Sequence, residues 1–296
     1  MNIPRKAKLF VFPAILLTCL FTVINVSSIG RKNLKLKIAA SMVRSNTAML
    51  YDSLQLGTLG LSTDAFMYGI QGFQRLLNAG RLQNDSVLAI VDFSLPSSQK
   101  RLFVIDVRNS KLLFNTLVSH GRNSGKLNAV KFSNKLNSNM SSLGFYITDN
   151  TYIGEHGLSL RLQGAEKSIN DNAMRRGIVM HGASYVDESF VDNQGYIGRS
   201  LGCPAIPEEV KEDVITALKN GACLFIYSAN PNYIAHSKML QRGKNVAMNT
   251  PVMPTFHANA AVRPVQALDI SAFSAQLPDV STLKEQAPGI NSPTAM

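Results

Sequence analysis

Two short segments carry residue types that do chemistry. The first, Arg176-Gly177-Ile178-Val179-Met180-His181-Gly182-Ala183, runs three apolar residues into a His and then a Gly. A strand this apolar is expected to be buried, with its end delivering His181 at a rim where the backbone turns. The second, Gly198-Arg199-Ser200-Leu201-Gly202-Cys203-Pro204-Ala205, sets a Cys behind Ser and Gly in a short loop, just ahead of a helix start at Pro207. A free thiol, with a pKa of ~8.5, is only a few per cent thiolate at neutral pH, so a nucleophilic Cys needs a base or cation beside it. An imidazole does both. Such a Cys also needs amide donors aimed at the developing oxyanion, each worth roughly 3–4 kcal/mol of barrier. Gly tolerates φ > 0 and lets the backbone swing its N–H groups inward, which makes the Leu201, Gly202 and Cys203 amides the candidates. The residues alone leave a second reading open. Cys203 is then a small buried apolar side chain and His181 a hydrogen-bonded core residue. A disulfide from Cys203 to Cys223 is a further option in an oxidising compartment, although Ala222–Tyr227 reads as a buried strand and places Cys223 in the core.

Neighbouring residues suggest supporting roles. Ser200 is placed to orient His181 or to shape the turn. Arg199 and Arg122 suit a substrate carboxylate, which Arg grips bidentately, or are plain surface charges. Gly182 and Tyr185, beside His181, complete the expected substrate-binding set. Tyr185 and Tyr196 flank a polar stretch with Asp187, Glu188 and Asp192, either a lid or a solvated loop. Three His-Gly pairs (His120, His156 and His181) are spaced 36 and 25 residues apart, which matches no metal-ligand motif. No metal or other cofactor is expected.

The elements that would hold these residues are mostly strands. Runs rich in Val, Ile, Leu and Phe at Ser86–Phe93, Arg101–Val107, Lys111–Val118, Gly144–Thr148, Leu158–Leu162, Gly177–His181 and Ala222–Ser228 alternate with turn residues. Ahead of them, Ser62 or Thr63 caps a helix whose apolar face is Phe66, Ile70, Phe73 and Leu77, with Gly80 at its stop. A second helix is expected over Pro207–Asn220, with Glu208 and Glu209 in its first turn, Val210, Val214 and Leu218 on one face, and Gly221 beyond it. The fold class is therefore mainly β, a β-rich α+β body. With 45% apolar and 17% charged residues among 296, the chain has material for a real core.

Charge is concentrated at the N-terminus. The net charge is +11 from 30 basic and 19 acidic residues, and eight of the basic ones lie in the first 44 residues, which hold no acid. The remaining 22 basic and 19 acidic residues leave a net of only +3, too little for a nucleic-acid footprint on the folded part. No nucleic-acid partner is expected. Arg5, Lys6 and Lys8 precede 22 uncharged residues, Leu9–Gly30. This is the layout of a signal peptide or an uncleaved membrane anchor, and as a helix it is roughly 33 Å long. Residues 31–60 read as a basic and polar approach segment, 61–230 as the folded domain that carries both segments, and 231–296 as a flexible low-complexity tail holding seven of the 12 prolines. The rest of the chain is expected to be exported to the periplasm or cell envelope.

The pattern of His181, eighteen residues, then Ser200-x-Gly202-Cys203 resembles the signature of L,D-transpeptidases, the cysteine enzymes that crosslink or trim murein. The resemblance extends in order through Leu102–Val107, Val118–Arg122, Ser142–Tyr146, His156–Leu160, Val179–Ala183 and Gly198–Pro207, over roughly residues 60–230. It implies a β-sandwich of two packed sheets with a helix beside the site, Cys203 as nucleophile, His181 as base, and peptidoglycan stem peptides as partners. It implies a Cys203 thioester passed to a stem-peptide amine, a protein lysine or, in a carboxypeptidase, to water. It also implies acylation by carbapenems. A silent murein-binding protein is the competing reading. Leu201 departs from the pattern, since the best-known members carry His there, and Leu offers no side-chain hydrogen bond. Pro204-Ala205 likewise replace a polar residue that often follows the Cys.

Overall fold

A computed structural model describes residue 41 and residues 45–241. The signal or anchor at 1–30, and the tail beyond 241, lie outside the described residues. No helix among the described residues is long and apolar enough to cross a membrane.

The body is one sheet of eight strands in the order β3-β2-β1-β8-β4-β5-β6-β7. These are β1 (Val87–Asp92), β2 (Leu102–Asp106), β3 (Lys111–Thr116), β4 (Gly144–Gly154), β5 (Gly157–Gly164), β6 (Val179–Gly182), β7 (Ala205–Ile206) and β8 (Cys223–Tyr227). Seven of them match the expected runs; β7, two residues long, escaped notice because no periodicity registers over two residues. The two expected sheets are one. The reason is β8, which pairs in parallel with β1 and antiparallel with β4, joining the early strands to the late ones. The β1–β8 pairing joins residues some 135 positions apart and leaves no local trace in the sequence.

The free ends of this sheet approach each other. Beyond β3 the chain runs alongside the segment around Cys203: the Ser119 amide donates to the Ala205 carbonyl at 2.8 Å, the Ser200 amide to the His120 carbonyl at 3.0 Å, and the Arg122 amide to the Ser200 carbonyl at 2.8 Å. The sheet is thereby nearly closed into a barrel, and the closure falls at the residues that carry the candidate chemistry.

Helices cover the sheet. After a helical segment α1 at 45–53, α2 (Thr63–Asn78) is capped by the Ser62 hydroxyl, which accepts from the Ala65 amide at 3.2 Å. Phe66, Ile70 and Phe73 are buried as expected, but the stripe ends on Leu76 rather than Leu77. Gly72 lets the helix close on the sheet, for a Cβ there would lie 2.0 Å from the Phe145 ring. Phe145 in turn stacks on its cross-strand partner Phe225, ring centroids 4.1 Å apart. The helix expected from Pro207 divides into a 3₁₀ turn, Glu208–Val210, and α4 (Lys211–Leu218), with Val214, Ile215 and Leu218 buried against the strands. Two elements were not anticipated: α3 (Glu188–Gln194), capped by Asp187, and α5 (Pro231–His236), capped by Asn230.

Helix α5 corrects the boundary of the tail. Residues 231–241 pack on the body instead of leaving it at 231. Tyr233 and Leu240 are buried, and the Tyr233 and Ser237 hydroxyls both donate to the buried Glu166 carboxylate. Two anchoring side chains in a polar, proline-bearing segment were too sparse to read as a pattern. The approach segment shifts likewise, because Leu50 and Leu56 are already core residues before position 61.

Candidate active site

Cys203 sits in the loop between α3 and β7, half-buried. Its Sγ accepts from the Val179 amide at 3.5 Å and lies 3.7 Å from the Gly177 carbonyl, to which the thiol donates. The sulfur is thus held at the start of β6. His181 stands at the other end of that strand, on the same face as Val179 by strand alternation. β6 and β7 run parallel with His181 opposite Ala205, two residues beyond Cys203. Two segments some 24 residues apart in sequence are brought together by this pairing.

The loop around Cys203 is braced from within. Ser200 Oγ donates to the Cys203 carbonyl at 2.6 Å and accepts the Gly202 amide at 3.0 Å. Gly202 has φ of 128°, a conformation L side chains rarely adopt, and a Cβ there would lie 2.8 Å from the Met140 carbonyl oxygen. Behind the loop, Arg176 ties the 133–142 segment together by donating to the carbonyls of Ser133 and Met140 and to the hydroxyls of Ser138 and Ser142.

His181 is 2% exposed. Its Nδ1 lies 2.7 Å from the carbonyl oxygen of Gly182, and a carbonyl only accepts, so Nδ1 carries the proton. Nε2 is then the basic nitrogen of the neutral ring. Burial holds the His181 pKa below its ordinary value, the Gly182 carbonyl partly restores it, His156 lowers it again, and Glu208 and Lys211 exert smaller, opposed effects. Burial also pushes the Cys203 thiol up, against the Val179 amide and the Arg176 charge, which pull it down. At neutral pH Cys203 is therefore a thiol and His181 a neutral imidazole.

The structure redistributes several expected roles. Ser200 does not orient His181; its hydroxyl is committed to the nucleophile loop, and the Gly182 main chain fixes the imidazole instead. The Gly202 amide, expected as an oxyanion donor, donates to Ser200 Oγ in this structure. The Leu201 side chain is 60% exposed on the same loop. Arg199 donates to the carbonyls of Arg122 and Gly125, so its guanidinium is partly engaged while remaining exposed; Arg122 is exposed beside it. Gly182 has no room for a side chain, since a Cβ would lie 2.6 Å from Lys211 Cδ and 2.7 Å from Glu208 Oε2. Tyr185 is half-buried, and its hydroxyl is pushed up to about 12 by burial and by the Cys203 thiolate, against a hydrogen bond from Ser119. Cys203 and Cys223 are both free thiols. The polar stretch after Tyr185 is the short helix α3.

Two further residues belong to this region. Arg176 opened the very segment that ends in His181, yet its role depends on a loop some forty residues upstream. His156, on the β4–β5 turn, stacks on His181 with ring centroids 4.3 Å apart and planes 21° apart. His120, by contrast, is a buried structural residue. Arg101 reaches its Nδ1 at 2.7 Å, and its pKa falls to about 3 through burial and that charge. Among the described residues no three His, Cys, Asp or Glu side chains form a group able to hold a metal.

A barrel-like sheet thus carries a thiol and a main-chain-bonded imidazole at neighbouring strands. A family model described as the L,D-transpeptidase catalytic domain matches residues 58–227, more than half of the chain, and the chain belongs to that family. Solved structures with a local likeness include an L,D-transpeptidase from Mycobacterium smegmatis (14% identity, 48% of this chain and 59% of that one, TM-score 0.31). Others are one from Stackebrandtia nassauensis (14%, 55% and 67%, 0.30) and L,D-transpeptidase 3 from Mycobacterium tuberculosis (12%, 48% and 61%, 0.30). The chain spans about three-fifths of the first of these. No curated protein matches the sequence. The family assignment rests on the domain match.

Proposed function

We propose that the protein is an exported cysteine L,D-transpeptidase that acts on peptidoglycan stem tetrapeptides. The observation that carries this reading is the Nδ1 bond from His181 to the Gly182 carbonyl, which leaves Nε2 as the basic nitrogen on β6, the strand whose Val179 amide donates to Cys203 Sγ.

In this reading His181 Nε2 takes the Cys203 proton as sulfur attacks the carbonyl between the third residue and the terminal D-Ala. The Leu201 and Cys203 amides receive the oxyanion. The protonated imidazole then gives its proton to the leaving D-Ala amine, and a thioester remains on Cys203. An acceptor amine attacks the thioester, His181 takes up the amine proton, and a new amide forms as the thiolate leaves and is reprotonated. The Gly182 carbonyl takes the Nδ1 proton that an acidic third residue would otherwise hold, so the reaction asks for no such residue. Arg199 and Arg122, exposed beside the loop, are placed to meet a substrate carboxylate. The apolar stretch Leu9–Gly30 and the basic residues around it support export to the periplasm or cell envelope, with the protein held at the membrane if the segment stays uncleaved.

The test is incubation of the purified protein with tetrapeptide muropeptides, alongside Cys203→Ala. Crosslinked dimers that vanish in the variant are the expected result. Tripeptides alone would make the protein an L,D-carboxypeptidase, and untouched substrate would reduce it to a murein-binding protein. Mass spectrometry for a carbapenem adduct on Cys203 reads the nucleophile independently.

A further inference from the structure

His156 has no part in the mechanism above, yet it touches the proposed base. We propose that His156 is a positioning residue, whose imidazole forms the outer wall that holds the His181 ring in plane and out of water. The proposal rests on the reading of His181 as general base.

The geometry begins with the β4–β5 hairpin. Ile153 pairs with Leu158 and Gly154 with Gly157, so the turn at Glu155-His156 is tight, and Gly157 takes φ of 69° to complete it. Farther along β5, Ser159 lies opposite His181 in the antiparallel β5–β6 pairing. His156, three residues before Ser159, is thus carried over the end of β6. There the two imidazoles lie face to face at 4.3 Å, within the usual range of stacked rings. His156 is exposed, whereas His181 is buried. The outer ring therefore stands between the inner one and solvent.

The other sides of His181 are fixed differently. One ring edge is tied to the Gly182 carbonyl. Gly182 is itself hemmed in by Glu208 and Lys211, which pair at 2.7 Å. Those two residues and His156 are the charged or titratable groups facing the ring from the elements packed on it. His156 covers one face of the ring. A loose imidazole swings Nε2 away from the thiol, and misplacement of about 1 Å costs about a hundredfold in rate.

The experiment compares His156→Ala and His156→Phe in the full chain. His156 is exposed, so neither change threatens the fold, and thermal unfolding verifies this. The first readout is the NMR titration of His181. Removing the cover hydrates the ring and removes a neighbouring imidazolium, and both raise its midpoint. A rise of about half a pH unit or more is expected in His156→Ala. Phe keeps the cover and should give a smaller rise. The second readout is the pH profile of muropeptide turnover. In His156→Ala kcat should fall about tenfold or more with KM nearly unchanged, and Phe should restore most of it. An unmoved His181 titration in His156→Ala overturns the proposal. So does a Phe variant as impaired as Ala, since that makes the second imidazole a proton carrier rather than a wall. If the wild type turns over no muropeptide while the titration moves as expected, the transpeptidase reading fails and the positioning role stands.

Discussion

Removing the Ser200 hydroxyl separates two accounts of how the site is built. In Ser200→Ala the Cys203 carbonyl loses a donor at 2.6 Å, and the buried Gly202 amide loses its acceptor at 3.0 Å. A typical hydrogen bond contributes about 1 kcal/mol net, and a buried amide left unpaired costs about 1–3 kcal/mol. The variant should therefore lose about 2–4 kcal/mol. For a body of this size 1 kcal/mol moves Tm by about 2–4 °C, so a fall of about 4–16 °C is expected. The nucleophile loop should loosen, displacing both Sγ and the Cys203 amide, and kcat/KM for tetrapeptide cleavage should drop about tenfold to a hundredfold. The pH dependence carries the discrimination. Ser200 makes no hydrogen bond to His181, so the acid limb of the profile should keep its midpoint while the whole curve descends. Thermal unfolding and a pH series of turnover measure both. An acid limb displaced by a full unit, with Tm intact, would mean that Ser200 orients the imidazole and would refute the main-chain account.

Other outcomes follow from the same geometry. In the wild type the acid limb of kcat/KM should have its midpoint below the ordinary His value. Burial depresses the His181 pKa, so the active neutral ring persists to lower pH and is lost only as pH falls through that value. Gly202→Ala forces a side chain into φ of 128° against the Met140 carbonyl, and should abolish turnover while circular dichroism shows the fold retained. Gly72→Ala drives a methyl into the Phe145 ring and should cost about 1–3 kcal/mol in urea unfolding without altering the acid limb. Burial raises the Glu166 pKa, so its ionisation opposes folding: wild-type stability should decline as pH rises from the ordinary carboxylate value through the higher folded one. Glu166→Gln should flatten that decline in unfolding measured against pH.

The sequence by itself determined the strands, the capped helix α2 and the two segments carrying His181 and Cys203. Each is local: a run of β-branched and aromatic residues, a helical stripe behind Ser62, a Gly before a Cys. The residues of the motif are legible because nucleophile loops need particular residue types close together. Tertiary structure decided how they are used. Only the β6–β7 pairing brings His181 to the Cys203 loop, and only β8, inserted between β1 and β4, makes the strands one sheet. Ser200 looked like a partner for His181 because both are polar and flank the same chemistry; direction, not composition, gave that place to the Gly182 carbonyl. Arg176 and His156 stayed without a role for the same reason. Their partners lie across loops and hairpins, and which way a side chain points at that range is fixed by packing, about which linear spacing says nothing.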